Sequence, residues 1–162
     1  MRILVYDTES NGLLDSADTI HCAVVQAEGK IFRYDPSNIA AFIYQLISYT
    51  DDGIIVCHNQ ICHDLPLLEK VYGYQHKGKI LDTLVLSRLL NPEREGRHSI
   101  EAWGERLGYA KPEHEDWTTY SPEMLHRCRE DVRINVLTLR ALLQEAEIKN
   151  AEELAVLPTY RT

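Results

Sequence analysis

The sequence predicts a single α/β domain over residues 1–162, built on a mixed five-stranded sheet whose first three strands run antiparallel. Three observations carry that prediction. Short apolar, β-rich runs recur at Ile3-Leu4-Val5, Ile54-Ile55-Val56 and Ile80-Leu81, the pattern of buried strands bounded by turn signals. The stretch from Thr19 to Asp35 holds two strand-like runs that meet at Glu28-Gly29, a hairpin signal. Apolar residues at helical spacing fill the intervals between and after these strands.

Taken in order, Ile3, Leu4 and Val5 open the chain as a strand that packs on both faces. The segment "NGLLDSAD" is turn-rich, and the hairpin follows it. Ile39, Phe42, Ile43, Leu46 and Ile47 then fall on one side of a helix. "GIIVCHN" is a fully buried strand running into a polar loop, which makes the preceding helix a crossover to a parallel strand. "DLPLLEKVYG" is a short helix with Asp64 as N-cap and Gly73 as its stop. "KILDT" is the fifth strand, and helices start from Thr83, from Ser99 and from Ser121-Pro122. The last is long and amphipathic, with Cys128, Val132, Val136, Leu139 and Leu143 on its apolar side. Three strands, helix, strand, helix, strand and then helices is the order of an RNase H-like α/β domain.

With 44% apolar and 26% charged residues, a chain of 162 residues supports one domain with a real core. No window approaches the length of a membrane span, so the expected location is the cytoplasm. Cys22, Cys57, Cys62 and Cys128 form no C-x-x-C pair and read as reduced, mostly buried thiols. A net charge of −8 argues against holding nucleic acid by blanket attraction. Bound divalent cations would reverse the sign of an acidic site locally, so a nucleic-acid enzyme remains open.

Asp7 and Glu9 occupy alternate positions at the end of the first strand, which sends both carboxylates to one face. Asp64 follows the fourth strand and Asp131 lies on the long last helix, so four acids converge on one end of the sheet. Each has an ordinary alternative. A lone D-x-E is often a solvated turn, Asp64 alone is a helix cap, and Asp131 and His126 alone are surface residues of a helix.

The joint pattern resembles the DnaQ-like (DEDD) 3′-to-5′ exonucleases. Its first motif, D-x-E, is Asp7-Thr8-Glu9; its second is Asp64 after His58-Asn59; its third, H-x-x-x-x-D, is His126 with Asp131. "DTLVLSRLL" and "IEAWGERLG" are similar to the proofreading domains of family A phage DNA polymerases. Those domains usually carry a tyrosine four residues before the last Asp, where this chain has Arg127, and His126 instead matches the histidine (DEDDh) branch. His63 stands where an aromatic residue commonly precedes the second-motif Asp.

The resemblance implies two divalent cations, magnesium or manganese, which suit all-oxygen ligands. Asp7 would bridge both, Glu9 and Asp131 would help hold the ion that activates water, and Asp64 would support the second. His126 would be the general base. Five residues on an ideal helix turn through about 140°, so His126 and Asp131 both face the metals only if the helix breaks or restarts between them. Ser10, Asn11, Gly12 and Leu13 would grip the terminal nucleotide and Asn59 would brace the second-motif loop, although "SNG" is a good turn sequence whatever the function.

Other features have weaker readings. Cys57, His58, Cys62 and His63 are zinc-ligand types, but their spacing does not match the paired hooks of a structural zinc site. Trp103 reads as core and Trp117 as a base-stacking candidate. Arg94, Arg97, Arg127, Arg129 and Arg133 read either as a phosphate track or as surface charge. Two function classes follow. One is an exonuclease trimming single-stranded DNA from its 3′ end beside a polymerase partner, with short RNA as a variant substrate. The other is a non-catalytic module that binds nucleic acid or a polymerase.

Overall fold

The computed structural model describes residues 1–109, 113–154 and 160–161. Its elements are β1 (Arg2–Ser10), β2 (Ile20–Ala27), β3 (Lys30–Tyr34), α1 (Ile39–Ile47), β4 (Gly53–Cys57), α2 (Asp64–Tyr72), β5 (Lys79–Asp82), α3 (Thr83–Leu90), α4 (Ile100–Leu107), α5 (Pro122–Glu145), α6 (Ala151–Leu154) and β6 (Tyr160–Arg161). The sheet order is β3-β2-β1-β4-β5-β6. β1, β2 and β3 pair antiparallel, whereas β1, β4 and β5 pair parallel. The expected mixed five-stranded sheet is therefore present. A two-residue β6 adds a sixth strand, antiparallel to β5, too short for any alternation to announce it in sequence.

Glu28 and Gly29 both adopt positive φ, 52° and 73°, the two-residue turn whose twist suits a hairpin. Alternation along β1 divides the core into two layers. Leu4 and Tyr6 pack with Phe42, Leu46, Leu67 and Leu68 under α1 and α2. Val5 packs with Val24, Val56, Trp103, Cys128 and Val132 under α4 and α5. Trp103 is buried at the centre of the second layer, its Nε1 donating to Ser87 Oγ at 3.1 Å while Arg94 and Arg106 stack on its ring. The core reading of that tryptophan holds.

One feature of the sheet makes the site. Parallel pairing of β1 with β4 ends at Val5↔Val56, while antiparallel pairing with β2 continues to Ser10. The last half of β1 thus runs beyond the end of β4, and the two helical layers open around it. Crevices at the carboxyl ends of parallel strands, where the strand order changes direction, are the usual ligand position in such sheets.

Candidate active site

Asp7 and Glu9 stand on this overhang, both half-buried, on the α5 side. Beneath Asp7, the Cys128 thiol on α5 donates to its backbone carbonyl at 3.4 Å and approaches Asp7 Oδ2 at 3.7 Å. Thr8 faces the other layer, and its hydroxyl donates to Asp64 Oδ1 at 2.6 Å. Asp64 is 3% exposed and is the first residue of α2. The N-cap is His63, so Asp64 caps nothing. Its side chain is turned instead toward β1, a choice made by Thr8 and not by the helix end.

A cleft of about 210 Å³ gathers the four acids, with Asp131 completing the set from α5. Asp7, Glu9 and Cys128 present ligand atoms all within 4.8 Å of one another, and so do Asp7, Cys57 and Asp64. Burial, then neighbouring Cys22, Asp7 and Glu9, pushes the Cys128 thiol well above its usual range. Burial followed by Asp64 and Asp7 does the same to Cys57. Both sulfurs therefore stay protonated at neutral pH, which leaves the carboxylate oxygens as the donors. Asp64 is itself pushed up by burial, a rise opposed by the Thr8 hydrogen bond and by His63. A buried carboxyl with a raised pKa beside three more acids is a site that a hard divalent cation fits.

The second-motif loop is fixed by groups the sequence reading did not single out. Asp82, at the end of β5, accepts from the backbone N–H of Asn59 at 2.8 Å and of Ile61 at 3.0 Å, while also capping α3 through Leu84. Asn59 takes φ 70°, a conformation asparagine tolerates, and lines the cleft. Tyr6 donates to Gln60 Oε1 at 2.9 Å. His58 is clamped at both ring nitrogens, by Thr83 Oγ1 and the His98 carbonyl, each at 2.8 Å. The visible signal was "LDT" at a strand end directly before a helix.

His126 is not brought to this cleft. α5 runs unbroken from Pro122 to Glu145, and His126 is exposed on it. The rotation of about 140° between positions five apart is not relieved by any break, and it is Arg127, one turn before Asp131, that lines the cleft. His126 is thus not gathered with the acids, and its role as general base rests on its sequence spacing to Asp131 alone. Trp117 also lines the cleft, with Arg127 stacked on its ring at 4.7 Å and its carbonyl held by His21 Nε2 at 3.0 Å.

The remaining expected contacts are spread out. Ser10 is buried and donates to the Gly12 carbonyl at 2.8 Å, and the Asn11 side chain ties to Asp18 and Thr19, so Ser10 to Leu13 form a self-held turn beyond the overhang. Leu13 is 78% exposed at its tip. The five arginines form no single track. Arg94, paired with Glu145 at 3.0 Å, and the exposed Arg97 line with Arg88 a neighbouring groove that shares His58 and Asn59 with the cleft, whereas Arg133 lies over Tyr109. Cys57 is buried and Cys62 exposed, and no group of metal-ligand atoms among the described residues contains Cys62 or His63.

No family model matches the sequence. The chain aligns with the DNA-directed DNA polymerases of Escherichia phage T7 and Enterobacteria phage T3, at 29% identity over 188 positions and 88% of its own length in each case. It spans 27% of the length of these relatives. Among solved structures, Escherichia coli RNase D superposes with a TM-score of 0.69 at 16% identity, covering 90% of this chain and 40% of that one. Brucella melitensis NrnC, also solved with bound Mg2+ and with pGG, gives 0.64 at 19% identity, covering 94% and 79%. Exonuclease X in complex with 5′ overhanging duplex DNA gives 0.53 at 21% identity, covering 94% and 97%. The chain therefore shares the fold of these solved structures and is similar in sequence to part of the phage DNA polymerases.

Proposed function

We propose that this chain is a metal-dependent 3′-to-5′ exonuclease that removes mononucleotides from single-stranded DNA ends. The observation that carries the reading is the convergence of Asp7, Glu9, Asp64 and Asp131 from β1, α2 and α5 into one cleft. These carboxylates would hold two divalent cations, Mg2+ or Mn2+, which when bound polarise the phosphoryl group and acidify water. The binding of Mg2+ by NrnC, which shares the fold, supports that ligand choice. In the reaction the oxygen of water bonds to phosphorus and the bond from phosphorus to the upstream O3′ breaks. The electron pair and one proton end on that O3′, and the second proton goes to solvent. Asp7 and Glu9 fix the cation seat from a strand; Asp64, oriented by Thr8, and Asp131 close it from two helices.

The polymerase alignment supports proofreading DNA and a polymerase partner. A second reading, trimming of short RNA, is favoured by the likeness to RNase D, an exoribonuclease, and to NrnC bound to pGG. The test is digestion of 5′-labelled single-stranded DNA, RNA and duplexes with magnesium, manganese or chelator, using wild type and Asp7→Asn. We expect a ladder shortening from the 3′ end that needs metal and disappears in Asp7→Asn. Cleavage of circular strands, or full activity in chelator, removes the exonuclease reading. Strand binding without hydrolysis in either metal would mark a non-catalytic module instead.

A further inference from the structure

We propose that Arg127 is a catalytic residue that binds a non-bridging oxygen of the scissile phosphate. The inference rests on the exonuclease reading and assigns a positively charged group that neutralises charge within the same cleft. Arg127 stands one turn before Asp131 on α5, which places both on one face of the helix. It lines the same cleft as Asp7, Glu9 and Asp64.

The guanidinium is held there by its surroundings. Its plane lies over the Trp117 ring at 4.7 Å, a cation–π contact, and Nη1 makes a long 3.4 Å hydrogen bond to the His114 carbonyl. Its Nε is buried with no hydrogen-bond partner. An enclosed donor left without an acceptor is costly, and a phosphate oxygen entering the cleft is the acceptor that a guanidinium fork matches best. Trp117 is itself anchored, through its carbonyl to His21 on β2 and by edge contact with His114 at 4.6 Å. Arginine and tryptophan therefore form one preset part of the cleft lining.

The chemistry assigned to Arg127 is electrostatic. A guanidinium acts as a fixed cation, so it takes no proton from water and gives none to the leaving O3′. It offsets the negative charge that builds on the equatorial phosphoryl oxygens as the new P–O bond forms and the old one breaks.

The test uses the full chain with manganese, under single-turnover conditions, on whichever end-labelled strand wild type degrades. Wild type, Asp7→Asn, Arg127→Lys and Arg127→Ala are compared, with thermal midpoints and with strand affinity measured in calcium. We expect Arg127→Ala to slow the chemical step by roughly 10²–10³-fold, with its thermal midpoint and the shape of its pH–rate profile kept. Added guanidinium should restore part of that rate, and Arg127→Lys should fall between alanine and wild type. A rate for Arg127→Ala within about threefold of wild type, well short of the 10²-fold or more that an oxyanion donor supplies, would overturn the assignment while leaving the exonuclease reading intact. So would a slow alanine variant that guanidinium does not rescue and that lysine does not improve. If wild type and Asp7→Asn are alike inert on every strand, the exonuclease reading itself fails, and this assignment with it.

Discussion

Asp64 shows how one side chain links site and stability. Burial raises its pKa in the folded chain, above an unfolded value of about 3.9. A raised carboxyl contributes stability that is fully present below the unfolded pKa and is lost as pH rises through the folded one. At neutral pH the buried carboxylate is therefore a burden, which a bound cation would relieve. Asp64→Asn keeps an oxygen to accept from Thr8 but carries no charge. We expect its metal-free thermal midpoint to exceed that of wild type at pH 7, by roughly 2–4 °C for each kcal/mol recovered. Manganese should raise the midpoint of wild type and much less that of the variant. Coincident metal-free melting curves of the two proteins would show that Asp64 is not held as a buried acid.

At the scale of elements, α5 decides which of its residues face the cleft. Because the helix continues through position 126 without a break, His126→Ala should turn over within about threefold of wild type, where loss of a general base costs on the order of 10²–10⁴-fold. Single-turnover rates check this, and a loss of the larger size would place His126 back in the chemistry. The seat of α5 depends on α4. At Gly104 an added Cβ would stand 2.8 Å from the Tyr109 carbonyl and 3.1 Å from Ile134 Cδ1, and the backbone oxygen cannot yield as a side-chain tip does. Gly104→Ala should destabilise the fold by about 1–3 kcal/mol through overpacking, read by denaturant titration. Unchanged stability would mean that α4 shifts freely against α5.

The whole molecule carries a charge of −8, with four carboxylates in its cleft. Among the described residues, Arg127 there and Arg88, Arg94 and Arg97 in the neighbouring groove are the arginines on that side. Strand binding is therefore expected to depend on divalent ions far more than on the protein's own charge. In fluorescence anisotropy with a labelled single-stranded oligonucleotide, affinity should rise at least about tenfold, or about 1.4 kcal/mol, when chelator is replaced by calcium. Equal affinity in both would show that the acidic cleft does not contact the strand.

Strand and helix positions were legible because they follow from local periodicity and turn chemistry: Glu28-Gly29 closes a hairpin and Gly73 stops α2 at φ 65°. The acids Asp7, Glu9, Asp64 and Asp131 were legible for a related reason. Each sits at the end or on the face of an element whose order in the chain already brings those ends together. What sequence spacing did not decide was orientation. Asp64 reads as a cap until the Thr8 hydroxyl, 56 residues away in the chain, is seen to claim it. His126 and Arg127 are neighbours in sequence, and only the continuity of α5, fixed by its packing on β1 and α4, turns one to solvent and the other into the cleft. Local pattern determines which elements form; which side chain of an element reaches the site is set by contacts between residues far apart in the chain.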